Sequence, residues 1–400
     1  MFKTIPPAGI PYKWSFVFNP EKTGSSSFES SLSGLFGGKT YLTNSGRSAL
    51  YLILKATQKL RPERHEVIIP DYTCWSVPSA IVKAGLKARP VDIDPDNFGL
   101  SPDAVDTAIG ENTLAVVHAH LFGIPGAIDK VEKICQKRNI FLIDDSAQGL
   151  GARLGGRLLG SFGDAGVFSF GRGKTITTLH GGAAVIRNEE LAQAAGMIFR
   201  DEFPKPGAGD ISAILQLSAY KTLFNRRLYW IPDSLPFLKI GETVFDPDFP
   251  VSRMADSLAA RGESMLKNME DIIAVRNSNA ALYQDMLKNT PNINMPKYPS
   301  EAQPAFIRMP ILLTDWKKRR IIIKKGHNRG ISAMYPGTVG SIRALEPYLA
   351  KKIEDCPIAK RISETLVTLP IHHGINNVDI DNIIRLIKAA LRENYQENNK

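Results

Sequence analysis

Between residues 43 and 191 short, wholly apolar runs alternate with amphipathic ones, and few folds accept that alternation. Ser45 can cap a helix carrying Ala49, Leu50, Leu52, Ile53 and Leu54, and Val67-Ile68-Ile69-Pro70 then reads as a short buried strand. The spacing predicts a helix over 77–83 that stops at Gly85, a strand over 88–93, and a helix opened by Ser101-Pro102-Asp103. A strand over 114–118, a helix over 127–137 and a strand over 140–143 follow, the last running into Asp144-Asp145. Such a series predicts an α/β fold, a mostly parallel sheet with helices on both faces. Ligands of these sheets gather at the strand C-termini, where Asp145 and Gln148 follow one strand and Ser169 and Lys174 surround another.

The remainder of the chain changes character. Residues 1–200 read as the large domain, and residues 252–400 as a smaller C-terminal α/β domain. In the latter a long helix is expected over 254–287, strands over 306–313 and 331–334, a basic helix ending at Gly330, and a final helix over 378–391. Residues 201–251 form an insertion. Within it Ala213, Leu217, Tyr220, Phe224, Leu228 and Ile231 recur at spacings of three and four, one helical stripe ending at Pro232. That stripe suits packing on the chain's own body or a second subunit. With Lys221, Arg226 and Arg227 beside it, it also suits peripheral contact of residues 211–231 with the inner membrane face.

Composition removes several classes. The 400 residues are 43% hydrophobic and 22% charged, enough for roughly two domains with full cores. No apolar run reaches the roughly 18 residues of a membrane span, and the first residues lack a signal-peptide core. Cys74, Cys135 and Cys356 are widely spaced and odd in number, which argues against a disulfide framework and a zinc site. The expectation is a reduced, cytoplasmic protein. A net charge of +10 favours acidic partners, yet no nucleic-acid-binding signature accompanies it, so an anionic small substrate accounts for the charge as well.

Phe168-Ser169-Phe170-Gly171-Arg172-Gly173-Lys174-Thr175 ends like a nucleotide-binding P-loop, but that motif needs a glycine where Phe168 stands. A lysine able to form a Schiff base, together with a carboxylate at a strand end able to keep a pyridine nitrogen protonated, points instead to pyridoxal 5'-phosphate.

The chain resembles the DegT/DnrJ/StrS family of pyridoxal-phosphate-dependent sugar aminotransferases. The likeness lies in Ser45-Gly46-Arg47-Ser48-Ala49-Leu50, Pro70-Asp71-Tyr72-Thr73, His120-Leu121-Phe122-Gly123, Asp144-Asp145-Ser146-Ala147-Gln148, and Gly160-Ser161-Phe162-Gly163-Asp164. It continues through Ser169-Phe170 to Lys174, then Gly181-Gly182-Ala183 and Leu369-Pro370-Ile371-His372, nearly the whole chain except residues 201–251. The resemblance implies the type I aminotransferase fold, with Lys174 linked to the cofactor and Asp145 partnering its pyridine nitrogen. Ala147 would lie against the ring, Gln148 near its hydroxyl, and Gly46, Arg47 and Ser169 around its phosphate.

This chain departs from the family pattern in four places. Arg47 replaces a small threonine and can add a charged phosphate contact. The stacking aromatic is replaced by Cys74 followed by Trp75, leaving open which of the two meets the ring. Leu179-His180 stands where the family has Gly-Glu. Val251-Ser252-Arg253-Met254 lacks the asparagine that reaches the phosphate from a partner subunit. The resemblance further implies a homodimer that passes an amino group from glutamate to a nucleotide-linked keto-sugar in amino-sugar or surface-polysaccharide synthesis. The alternatives are a sugar dehydratase of the same family, in which histidine replaces the lysine, and a non-catalytic regulatory or scaffold relative.

Overall fold

The computed structural model describes residues 4–9, 14–18, 24–206, 210–235, 243–351 and 355–393, the side chains of Asp210, Ile211 and Ala213 excepted. Its centre is a seven-stranded sheet of β1 (Lys39–Thr43), β2 (Glu66–Pro70), β3 (Lys87–Val91), β4 (Thr113–Ala119), β5 (Phe141–Asp145), β8 (Ala165–Ser169) and β9 (Gly182–Ile186), in the order β1-β9-β8-β5-β4-β2-β3. Adjacent strands from β3 through β2, β4 and β5 to β8 pair in parallel, and β9 runs antiparallel to both β8 and β1. A short hairpin, β6 (Arg153–Leu154) and β7 (Arg157–Leu158), intervenes between β5 and β8.

The middles of the inner strands β2, β4 and β5 are apolar because both faces are covered. Ile68, Val116 and Leu142 point into one core with Val17 of α1 (Trp14–Phe18), Phe28 and Leu32 of α2 (Ser25–Phe36), Val105 of α5 (Pro102–Ala108) and Val131 of α6 (Ile128–Arg138). Their neighbours Val67, Ile69, Val117 and Ile143 point into the opposite core, against α3 (Gly46–Leu60), α4 (Ser76–Lys83) and α7 (Glu189–Glu202). The expected elements between residues 43 and 191 thus form close to where periodicity puts them. The expected cap on α3 is also present, Ser45 Oγ accepting from the Ser48 amide at 3.2 Å.

C-terminal to this body, β10 (Ile293–Asn294), β12 (Met309–Leu313) and β13 (Leu366–Leu369) form an antiparallel sheet. It packs with α11 (Met269–Leu287), α12 (Trp316–Gly326), α13 (Pro357–Thr365) and α14 (Asn377–Arg392) around a third core. The last strand pair of the molecule, β11 (Ala302–Gln303) with β6, ties this region to the hairpin.

Four expectations need correction. The long helix over 254–287 is two, α10 (Asp256–Leu266) and α11, because Asn268 leaves the helical path and its side chain donates to Ser264 O at 2.9 Å. The strand expected over 331–334 is reduced to a single bridge, Ser332 with Thr368. The strand expected over 306–313 begins only at Met309, since Ala305 and Ile307 donate to Gly123 O and Phe122 O instead. The helical stripe does not run to Pro232. Helix α8 (Asp210–Leu223) ends where Asn225 Oδ1 accepts from the Arg227 and Leu228 amides, and Pro232 lies inside the short helix α9 (Trp230–Asp233). Leu217 and Tyr220 are buried in the first core, Phe224 lies against Tyr220 with ring centres 4.0 Å apart, and Arg226 pairs with Asp379. Much of the stripe is therefore covered by the chain's own body, and the side chain of Ala213 lies outside the described residues. No helix among the described residues is long and apolar enough to cross a membrane.

Asp71, just after β2, joins the two regions: its Oδ1 accepts from the Gly340 amide at 2.7 Å, and its backbone oxygen from Val339 at 2.6 Å. Burial raises its carboxyl from 3.8 to about 6, with the Gly340 bond opposing the rise. A carboxyl raised in the folded state holds its proton there while the unfolded chain has released it. Stability is accordingly greatest below 3.8, falls as pH rises toward about 6, and is flat above. At about 1.4 kcal/mol per pH unit the loss is about 3 kcal/mol. Asp71→Asn keeps the acceptor and removes the charge, so chemical denaturation should find it more stable than the parent above about pH 6 and no more stable below 3.8.

Candidate active site

Successive residues of a strand face opposite ways, and the end of β5 uses this to separate two adjacent carboxylates. Asp144 turns into the protein. It is fully buried and accepts from Ser146 Oγ at 2.8 Å and from the Gly160 and Phe162 amides at 2.6 and 3.1 Å, with His120 Nε2 at 3.2 Å. Burial alone would raise its carboxyl, but the bond and charge of His120 and the Ser146 hydroxyl outweigh it and hold it below the usual range. Asp145 turns the other way and lines a cavity of about 160 Å³, and among the described residues its carboxylate accepts from the Ala147 amide alone, at 3.0 Å. Its burial, only partly offset by that bond and the Lys174 charge, raises its carboxyl.

The opposite side of this cavity is the first turn of α3, whose leading amides have no intrahelical acceptor. Gly46 is required there by contact: a Cβ would meet Ser169 Cβ at 2.8 Å, and one on Gly182 would meet Gly46 N at 2.3 Å. The helix start is thus pressed flush against the ends of β8 and β9, and Gly46, Arg47 and Ser169 all line the cavity. The Arg47 guanidinium is drawn toward the end of the insertion, 3.2 Å from Asp246 and 4.4 Å above the Phe249 ring. Arg253 is held within its own chain by the Phe203 and Phe199 carbonyls.

Lys174 reaches the same cavity from the turn after β8. Gly173 has φ of 78°, a conformation that favours glycine, and the Lys174 carbonyl accepts from Arg276 Nη2 at 3.0 Å. Burial lowers the lysine's basicity, with Cys74 and Asp145 opposing. Ala147 and Gln148 complete the floor. Gln148 accepts from the Phe122 amide at 2.8 Å and donates to Tyr335 Oη at 2.5 Å.

Of the two residues left open by the sequence, Cys74 lines the cavity and Trp75 does not. Trp75 sits at the N-cap position of α4, with no side-chain cap bond, and packs against the core beneath α3, so the structure brings Cys74 rather than Trp75 to this cavity. Sequence reasoning did not single out Thr73, His120 or Tyr335, which also line the cavity. His120 sits in a quoted motif and could have been found there. Tyr335 follows an irregular segment of the C-terminal region and carries no local signal.

The sequence model of the DegT/DnrJ/EryC1/StrS aminotransferase family matches residues 22–208 and 250–388. The chain belongs to this family. It is a pyridoxal-phosphate-dependent aminotransferase acting on small molecules. The aminotransferase is 26% identical over 351 residues to GDP-perosamine synthase of Caulobacter vibrioides, covering 87% of this chain and 84% of that one. It is 38% identical over 172 residues to L-glutamine:2-deoxy-scyllo-inosose aminotransferase of Streptomyces kanamyceticus, 41% and 39% of the two chains. Its fold matches that of Helicobacter pylori PseC, an aminotransferase involved in the biosynthesis of pseudoaminic acid, with TM-score 0.76 at 20% identity, covering 98% of each chain.

The cavity fits the cofactor on physical grounds. A deprotonatable buried amine, a buried carboxylate facing it, and a glycine-bounded helix start able to receive a phosphate share one wall system. Because Asp144 holds loops and Asp145 holds almost none, their substitutions should differ. Asp144→Asn should lower unfolding free energy by about 3–5 kcal/mol, as removal of one partner from a buried charged network does. Asp145→Asn should change it by about 1 kcal/mol or less, both measured by urea denaturation.

Proposed function

We propose that the aminotransferase carries an amino group from glutamate to a nucleotide-linked keto-sugar, as a homodimer, in amino-sugar or surface-polysaccharide synthesis. The observation that carries this reading is the sharing of one cavity by Lys174 and Asp145 at the C-terminal edge of parallel strands. A positively charged chain suits an acceptor bearing phosphates. The Caulobacter relative, a GDP-perosamine synthase by name, supports the same acceptor class.

When bound, pyridoxal phosphate supplies a carbonyl for amine exchange and a ring that accepts electrons from the substrate carbon. Lys174 is the amine that burial keeps available in its neutral form, and it moves the proton at the substrate carbon. Asp145 would keep the pyridine nitrogen of the bound cofactor protonated. Gln148 and Tyr335, bonded to each other, fix part of the wall of the same cavity. The first-turn amides of α3, with Ser169, would hold the phosphate, and Arg47 would add to them only by leaving Asp246. Cys74, in place of an aromatic residue, would offer the bound cofactor a small polarizable contact.

Lys174→Ala should remove both the yellow colour reducible by borohydride and all turnover with glutamate and a nucleotide keto-sugar panel. Asp145→Asn should retain bound cofactor yet slow the glutamate half-reaction by about 100-fold or more, a loss of about 3 kcal/mol in transition-state stabilisation. Full activity with the same reducible linkage in Lys174→Ala would overturn the assignment.

A further inference from the structure

Beyond Lys174 the site adjoins a second cavity of about 540 Å³ that shares Cys74, Ser76 and Tyr335 with the first. The insertion supplies part of its wall through Tyr220, Phe224 and Tyr229, and the C-terminal region supplies Arg308. Among the described residues its cationic lining is Arg172, Lys174 and Arg308, against one carboxylate, Asp233, which is already 3.0 Å from His327 Nε2.

Arg308 is the unusual member. It is 7% exposed, and among the described residues its hydrogen bonds run from Nη2, to Gly330 O at 2.9 Å and Thr368 O at 3.2 Å. Its Nε has no partner, and no carboxylate among the described residues pairs with the guanidinium. Arg276, 1% exposed, lies in the same neighbourhood. It bonds the Lys174 carbonyl, and its Nε and Nη1 are likewise without partners. Between them His372 is kept neutral, pushed down to about 4 by burial and by both arginines. Two buried guanidinium groups with no counter-charge are costly to maintain unless an anion completes them. A planar fork with spare donors suits a carboxylate or phosphate oxygen pair.

We infer that Arg308 anchors an oxyanion of the substrate in the second cavity, beside Lys174, with the insertion closing the wall over it. The inference rests on the aminotransfer reading, in which the amino donor carries a carboxylate and the acceptor a phosphate. It assigns the insertion a place in substrate recognition, because Tyr229 lines the cavity beside Arg308.

The test uses the holoenzyme, its cofactor site filled, and calorimetric titration with glutarate and with inorganic pyrophosphate, so that binding is read without turnover. The parent protein should bind at least one probe, and Arg308→Gln should weaken that probe about 10- to 100-fold, the range expected for charge-assisted hydrogen bonds. Selective loss of glutarate identifies the donor carboxylate, and selective loss of pyrophosphate the acceptor phosphate. Either supports the anchor. Arg308→Lys keeps a charge and loses the fork. It should weaken the same probe less, and it serves in place of Arg308→Gln if that variant does not fold. If the parent binds neither probe, or the variant melts lower but binds both as the parent does, Arg308 is only a strut for the two carbonyls and the inference falls. The reducible Lys174 linkage, followed in the same samples, reports separately on the aminotransfer reading.

Discussion

Everything at the cavity depends on the buried carboxylate of Asp144. It gathers a hydroxyl, an imidazole and two backbone amides from three separate stretches of chain, and so fixes the loop around Gly160 and the ring of His120. In a low-dielectric interior such a charge is tolerated only because every neighbour donates to it. Its adjacent residue, one step along the same strand, is then free of structural duty. Asp145 makes a single local bond and presents its charge to the cavity. Two identical residues in sequence thus acquire opposite roles from strand geometry alone.

A second constraint is steric. The first turn of α3 touches β8 and β9 so closely that Gly46 and Gly182 admit no side chain, which brings helix amides, Ser169 and the Lys174 turn onto one small perimeter. Apolar packing on both faces of the sheet holds that perimeter rigid, since the strands alternate between two cores except at the irregularity of β4, where Leu114 and Ala115 face the same one. The insertion adds to this frame without disturbing it. Its buried residues join an existing core, and its aromatic cluster of Tyr220, Phe224 and Tyr229 turns toward the space beyond Lys174.

The parallel sheet, its helices, the cap at Ser45, and the gathering of Lys174, Asp145, Gln148 and Ser169 were legible because local periodicity and strand-end position determine them. What escaped were outcomes of competition between distant groups. Whether Cys74 or Trp75 faces the cavity depends on which of them the core beneath α3 takes in. Arg47 has the length to reach a phosphate, but its direction is set by Asp246 and Phe249, some 200 positions away in sequence (|i−j| = 199 for the ion pair). The breaks at Asn268 and Asn225 replace main-chain helix bonds with side-chain ones, a choice that an apolar stripe does not record. Tyr335 had no local mark at all, because its role comes from Gln148.

That last pairing has a consequence in time. Gln148 and Tyr335 lie 187 positions apart, Asp71 and Gly340 lie 269 apart, and Asp92, which caps α13 through the Ile358 and Ala359 amides, lies 267 from the latter. A chain emerging from the ribosome therefore carries all seven strands of the large sheet, with Lys174 and Asp145 in place along them, while their pocket still lacks a side. Closure waits for Tyr335, so the order of synthesis itself keeps the site open long after Lys174 and Asp145 have been made.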